Sequence, residues 1–278
     1  MRKLLVPLGV LAAVGMAVSA FTSTSSASST KAVTFSITTR NSAPPKSDPT
    51  ASAEMQAAIR HGGARSSLHY VSTSGGGGIT TTIVGDVNKT SGTQTITVKN
   101  GKVTATMVIR LIGHEAYFKG AAAAIYVLIG LTTAQSAAAA GRWVSVVPSN
   151  SVYNSTAAAL TVGSVMSEIT LSPPITGTRN LVSAGQRLTE ISGAWTGTGI
   201  TAKDHATAKL DVTRGAKSVP FRFSGVVPAT ATSSRFVDNL VVTKWGEAVR
   251  VAPPVSAVPL SQVLRTTTTT TTTPPVVV

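Results

Sequence analysis

His114-Glu115 is the first half of a zinc-protease motif, whose metal-binding pair needs a second histidine three residues beyond the glutamate. Phe118 stands at that position, so the pair reads as a surface turn. No cysteine occurs, and the chain holds four histidines and ten Asp and Glu. Disulfides, thiolate metal sites, cysteine nucleophiles and a cysteine-linked lipid anchor are therefore excluded. A Gly-x-Ser-x-Gly nucleophile elbow is missing as well. Asp86, Glu190, Asp204, Asp211 and Asp238 are isolated along the chain, and nothing in their spacing selects an acid–base pair for sugar cleavage. Four consecutive glycines, Gly75 to Gly78, lack the Lys-Ser/Thr ending and following helix of a phosphate loop and read as a hairpin connection. The expectation is a protein with no catalytic residues, no metal site and no cofactor. A secreted hydrolase is the least favoured class.

The elements around these residues are mostly strands. Charged residues make up 12% of the 278, and β-branched residues are abundant, which suits a sheet-rich extracytoplasmic protein. Lys and Arg number 24 against 10 Asp and Glu, a formal net charge of +14. Such an excess draws a protein to anionic lipid or acidic wall polymers. Nucleic acid is disfavoured because the cations are scattered and aromatic content is 5%.

Residues 1–20 read as a secretory signal peptide, with Arg2-Lys3, an apolar run from Leu4 to Ala17, and Val18-Ser19-Ala20 as a cleavage site. Residues 21–50 read as a flexible Ser/Thr/Pro-rich leader. Ser52 is expected to cap a helix that stops at Gly62-Gly63. Strands follow, linked by hairpins at the glycine run, at Asn100-Gly101 and at Gly113-His114. Between Lys119 and Arg142 lies an uncharged, Ala-rich insert. Its length would span a membrane, but its composition is only weakly apolar, and Gly130 with the Thr132/Gln135 capping box divides it into two short helices. A helix is expected over 156–169, ended by Pro173-Pro174, and further hairpins run to Lys244. Residues 256–278, with eight threonines from Thr266 to Thr273, read as a low-complexity tail. About ten strands without βαβ alternation predict an antiparallel sheet.

Near the last long strand stands Lys244-Trp245-Gly246-Glu247, followed by Val249, Val251 and Pro253. With Ser67-Leu68-His69-Tyr70-Val71, Tyr117-Phe118-Lys119-Gly120, Gly141-Arg142-Trp143-Val144 and Gly185-Gln186-Arg187 in that order, the chain from about 50 to 255 resembles the LppX/LprAFG lipoprotein family of mycobacteria and relatives. The resemblance implies an α+β fold similar to the LolA/LolB carriers: a strongly curved antiparallel half-barrel, with short helices packed across its concave face in a domain over 51–255. It also implies a monomeric carrier of acylated, including anionic, lipids in an apolar cavity between helices and sheet. The anchored members carry a lipobox cysteine after the signal; Ala20-Phe21 stands at that junction here. A secreted or envelope-associated protein without a lipid anchor is implied, associating peripherally with membrane or wall polymers. The candidate cavity residues are Ile125, Val127, Leu128, Leu131, Leu160, Val165, Met166 and Ile169. The alternative is a structural envelope protein whose groove is filled by its own side chains, the insert then being a plug instead of a lid. N-terminal sequencing of the exported protein should return a chain starting at Phe21; an intact Met1 would refute cleavage.

Overall fold

A computed structural model describes residues 46–266, apart from 184, 198 and 232. The expected signal peptide, most of the leader and the threonine run past 266 lie outside the described residues.

Helix α1 (Pro49–Ala64) starts four residues earlier than expected. Asp48, not Ser52, is its cap: the carboxylate accepts from the backbone N–H groups of Thr50 and Ala51 at 2.8 and 3.3 Å, and Pro49 occupies the first turn. Five strands follow by tight connections: β1 (Ser67–Gly76), β2 (Ile79–Asn88), β3 (Ser91–Asn100), β4 (Val103–Ile112) and β5 (Glu115–Gly120). Gly77 and Gly78, at φ 60° and 84°, form the two-residue turn that lets β1 and β2 pair without splaying. The insert gives α2 (Ala122–Ile129) and α3 (Thr133–Ala139), then β6 (Val144–Val146). The expected single helix over 156–169 is two, α4 (Tyr153–Ala157) and α5 (Val162–Glu168), because Ala159 takes φ 54° and Thr161 caps afresh. The remaining strands are β7 (Leu171–Ser183), β8 (Gln186–Trp195), β9 (Thr207–Thr213), β10 (Pro220–Val227) and β11 (Phe236–Thr243).

The chain does not leave the domain at 255. A short strand β12 (Val258–Pro259) pairs parallel with β6, and α6 (Leu260–Thr266) buries Leu260 and Val263 in the core. The first part of the expected tail is thus folded, because its Val-Pro-Leu-x-x-Val pattern supplies an apolar face.

The described residues form a twelve-strand sheet in the order β12-β6-β5-β4-β3-β2-β1-β11-β10-β9-β8-β7. It is antiparallel apart from the β12–β6 pair. The sheet is curved and unclosed, and short helices cover one face, a half-barrel of the α+β class. Pro173-Pro174 sit in β7, the edge strand, where their missing N–H groups cost no ladder bond. No helix among the described residues is long and apolar enough to cross a membrane.

Alternation along each strand decides which side chains face the helices. One register row runs Val242–Tyr70–Gly85–Gln94–Ile109–Phe118–Val144 across seven strands, and every member is buried. The next runs Ile191–Leu210–Phe223–Leu240–Ser72–Ile83–Ile96–Met107, also buried throughout. These rows and the inward faces of the helices form one continuous apolar core.

Gly85 is required by its neighbour. A Cβ there would overlap the Tyr70 ring, which lies flat across the glycine to reach β3. Gly85→Ala should therefore destabilise the fold by roughly 1–3 kcal/mol, the usual cost of overpacking a core. Chemical denaturation of Gly85→Ala alone and combined with Tyr70→Ala checks this: in the Tyr70→Ala background the added methyl should cost much less.

Candidate functional site

β6 lies near one edge of the sheet and β7 forms the other, so the chain from 147 to 170 must cross the whole concave face. It does so as α4, a short turn and link over 158–161, and α5. A backbone crossing an apolar surface brings carbonyls that need donors. Tyr70 and Gln94 supply them from the sheet. The Tyr70 hydroxyl lies 3.1 Å from the Ala159 carbonyl and 2.8 Å from Gln94 Oε1, and the Gln94 amide donates to the Ala158 carbonyl at 3.5 Å. Next to them, the Leu160 carbonyl sits so close over Gly92 that no side chain would fit at that position. Full burial pushes the Tyr70 hydroxyl well above its ordinary pKa, so it stays a donor. This clamp divides the concave face into two halves.

In one half, α2 and α4 cover β4 and β5, and α3 packs on α2 and α6. Gly130 ends α2 at φ 79°, and the Thr132/Gln135 capping box starts α3, as its spacing predicts. In the other half, α5 lies against α1, which itself rests on β7, β9 and β10. Its Thr161/Ser164 pair caps it, the Glu168 carbonyl accepts from Trp195 Nε1 at 3.2 Å, and Met166 packs at Gly62. Helices of five to eight residues are too short to hold themselves in water. Packing on the sheet keeps them folded.

The eight residues expected to line a cavity are placed as follows. Ile125 and Leu128 on α2, Leu131 after it, Leu160 in the crossing link, Val165 and Met166 on α5 and Ile169 just beyond are buried in the common core. Val127 is partly buried against the same core. They fall on both sides of the clamp: Ile125, Val127, Leu128 and Leu131 belong to the α2 half, Val165, Met166 and Ile169 to the α5 half, with Leu160 between. Missing from that set are the side chains that fill the sheet side, above all Tyr70, Phe118, Phe223 and Trp195. Trp195 lies across Gly225, meets Phe223 edge-on at 5.3 Å and stacks on Phe236 at 6.5 Å. Strand parity could have found several of them, since Leu68, Tyr70, Ser72 and Ser74 share one face.

The acids seen as isolated in the sequence acquire partners. Asp86 Oδ1 meets His69 Nδ1 at 2.8 Å, Lys209 donates to Glu190 at 2.9 Å, Asp204 accepts from the Thr201 N–H at 2.7 Å, and Arg222 pairs with Asp211 at 2.6 Å. Glu115 accepts from Tyr117 at 2.6 Å, so the would-be zinc motif is a strand contact. Among the described residues no three His, Cys, Asp or Glu come together where they could hold a metal ion.

Asp238 differs. It shares strand parity with Phe236, Leu240 and Val242, so it points into the concave face, and it is 1% exposed. Ser72 donates to its Oδ1 at 2.8 Å, and the Asn239 backbone adds a second bond. Burial, with the charge of Glu168 as a lesser cause, pushes the carboxyl up to about 7.

A separate cavity of about 220 Å³ lies on the other side of the sheet, under the segment after β11. Its walls include His69, Asp86, Thr93, Lys244, Glu247 and Arg250. The segment is tied down by its carbonyls: Ser67 donates to Glu247, Asn88 to Val249 at 3.3 Å and Arg110 to Ala252 at 3.1 Å, with Arg110 also over the Trp143 ring at 4.7 Å.

No protein-family model matches the chain, and no curated protein matches it. Solved structures do. LprF from Mycobacterium bovis aligns at a TM-score of 0.48 and 13% identity, over 76% of this chain and 99% of that one. The Mycobacterium tuberculosis lipoprotein LppX aligns at 0.45 and 16%, over 74% of this chain and all of the other. Both carry names of the family that the sequence resembles.

Because the Asp238 carboxyl is pushed up to about 7 in the fold, the native state holds a proton that the unfolded chain releases near its ordinary value of 3.8. Stability from this group is full below that ordinary value, falls as pH rises toward about 7, and is level above it. Asp238→Asn should remove that slope and so gain stability relative to the native chain on going from pH 4 to pH 8. Urea melts from pH 4 to pH 8 measure it; parallel profiles for the two proteins would count against a proton held there.

Proposed function

We propose that this protein binds acyl chains or similar apolar ligands between its sheet and the helices over the concave face, as an extracytoplasmic carrier or chaperone of acylated lipids. The observation that carries this reading is the nature of that interface. Across β1–β5 and β8–β11 the covered rows are largely apolar, and apart from the sixteen-residue α1, which rests on β7, β9 and β10, the cover is α2 to α5, helices too short to be stable alone. Such a cover can exchange its own side chains for a ligand's.

The magnitudes are compatible with exchange. Lifting α2 would expose Ile125, Leu128 and Ile129, each worth about 1.5–3 kcal/mol of burial. An acyl chain regains about 0.8 kcal/mol per buried methylene, so roughly ten methylenes would offset the helix. Binding by replacement needs no preformed void and no catalytic group, and it makes occupancy depend on local lipid concentration. The basic surface would favour docking at anionic membranes or wall polymers, where such lipids are found.

A second reading has its own support. Tyr70, Gln94 and Trp195 fill the middle of the groove and tie the crossing link to the sheet. A groove filled in this way also suits a structural envelope protein, in which the helices are a plug.

Native mass spectrometry of protein purified from its own host separates the two. The carrier reading expects adducts of lipid mass that organic extraction removes and added lipid restores. A bare mass before extraction, together with no uptake of a fluorescent acyl probe afterwards, would leave the structural reading standing.

A further inference from the structure

We infer that the concave face holds a polar subsite, formed by Ser72, Ser74, Thr81 and Asp238, for a hydroxyl or ammonium group on an otherwise apolar ligand. This rests on the apolar-ligand reading and specifies which ligands it would favour.

Register brings the four residues together. Thr81 on β2 stands opposite Ser74 on β1, and Ser74 stands opposite Asp238 on β11; Ser72 is the next inward residue of β1. All four share parity with the apolar rows and are at most 3% exposed. Apart from Gln94, which is taken up by the clamp, they interrupt a face of apolar residues and glycine.

Nothing in the fold explains the interruption by stability. The Thr81 hydroxyl is buried with no hydrogen-bond partner, where valine would fill the same space without that cost. Asp238 receives bonds from the Ser72 hydroxyl and a backbone N–H, but no basic side chain is among the residues buried in this core. Every other buried acid is handled differently: Asp211 faces away from the helices and has Arg222. An apolar wall stands alongside, because Trp195 lies across Gly225, the residue opposite Asp238 on β10, and stacks on Phe236.

The chemistry of the group selects its ligand. Carboxyl and hydroxyl oxygens accept hydrogen bonds, so a hydroxyl or an ammonium satisfies them. A carboxylate or phosphate would face Asp238 and, from the end of α5, Glu168, the charged group that acts on it from the covering helices. Like charges in a poorly solvated space repel strongly. The interior thus favours neutral hydroxylated or cationic acyl molecules, although the outer surface is basic.

Displacement of a polarity-sensitive apolar dye by dodecanol, dodecylamine and dodecanoate, each below its micelle concentration, tests this on the full exported chain. Dodecanol and dodecylamine should compete about ten-fold or more better than dodecanoate, the worth of one charge-assisted hydrogen bond. The margin for the amine should widen from pH 6 to pH 8 as Asp238 ionises. Asp238→Asn should abolish that pH dependence, and Thr81→Val should weaken dodecanol several-fold, each measured relative to that variant's own affinity for the dye. Thermal melts establish that each variant is folded. Equal competition by all three molecules, or the same preferences in Asp238→Asn, overturns the subsite while leaving apolar binding intact. Failure of the dye and of every chain to bind overturns both.

Discussion

A chain that must cross the inside of a curved sheet has to satisfy its backbone there, and that constraint governs the arrangement of the concave face. The Ala158 and Ala159 carbonyls are met by Gln94 and Tyr70. Tyr70 can lie flat enough to do this only because residue 85 has no side chain, and the chain can approach β3 closely only because residue 92 has none. Two glycines, a tyrosine and a glutamine on three adjacent strands therefore set the height at which the crossing runs. The positions of α4 and α5 follow from it, as does the division of the apolar face into two halves.

The opposite side of the sheet is organised by a comparable tie. After β11 the chain runs back under the sheet, held by Ser67, Asn88 and Arg110 through its carbonyls, and reaches β6 as a parallel strand. Then α6 packs into the core near α3. The helices over the concave face are thus held at two places: in the middle by the Tyr70 clamp, and at the edge by the C-terminal segment.

How tightly the groove is filled bears on both functional readings. The residues expected to line a cavity are packed into the common core between helices and sheet. Lid and plug are the same packing viewed with different energetics. The difference lies in what an acyl chain offers in exchange, and in the polar residues at Ser72, Ser74, Thr81 and Asp238, which a simple plug has no physical reason to keep.

Much of this was readable from the chain itself, wherever the determinants are local. Gly77-Gly78 and Gly101 specify hairpins because their turns need positive φ, although the second turn is made by Gly101-Lys102 with Asn100 still in β3. Gly130 and the Thr132/Gln135 pair divide the insert because caps act within one turn. The expectation of an antiparallel sheet with short helices on one face held for the same reason. The errors also have a pattern. The cap at Asp48 instead of Ser52 and the split at Ala159 depend on backbone angles that composition does not reveal. The docking of Leu260 and Val263 required knowing that β12 would find β6, more than a hundred residues away. Asp238 looked like one more isolated acid, although its parity with Phe236, Leu240 and Val242 placed it on the apolar face. The sequence alone determined hairpins, caps and the alternation of each strand, because these are interactions between near neighbours. Only the tertiary structure decided which edge the chain crosses to, what holds it on the way and which acid is buried without a cation, because those outcomes depend on register between distant strands.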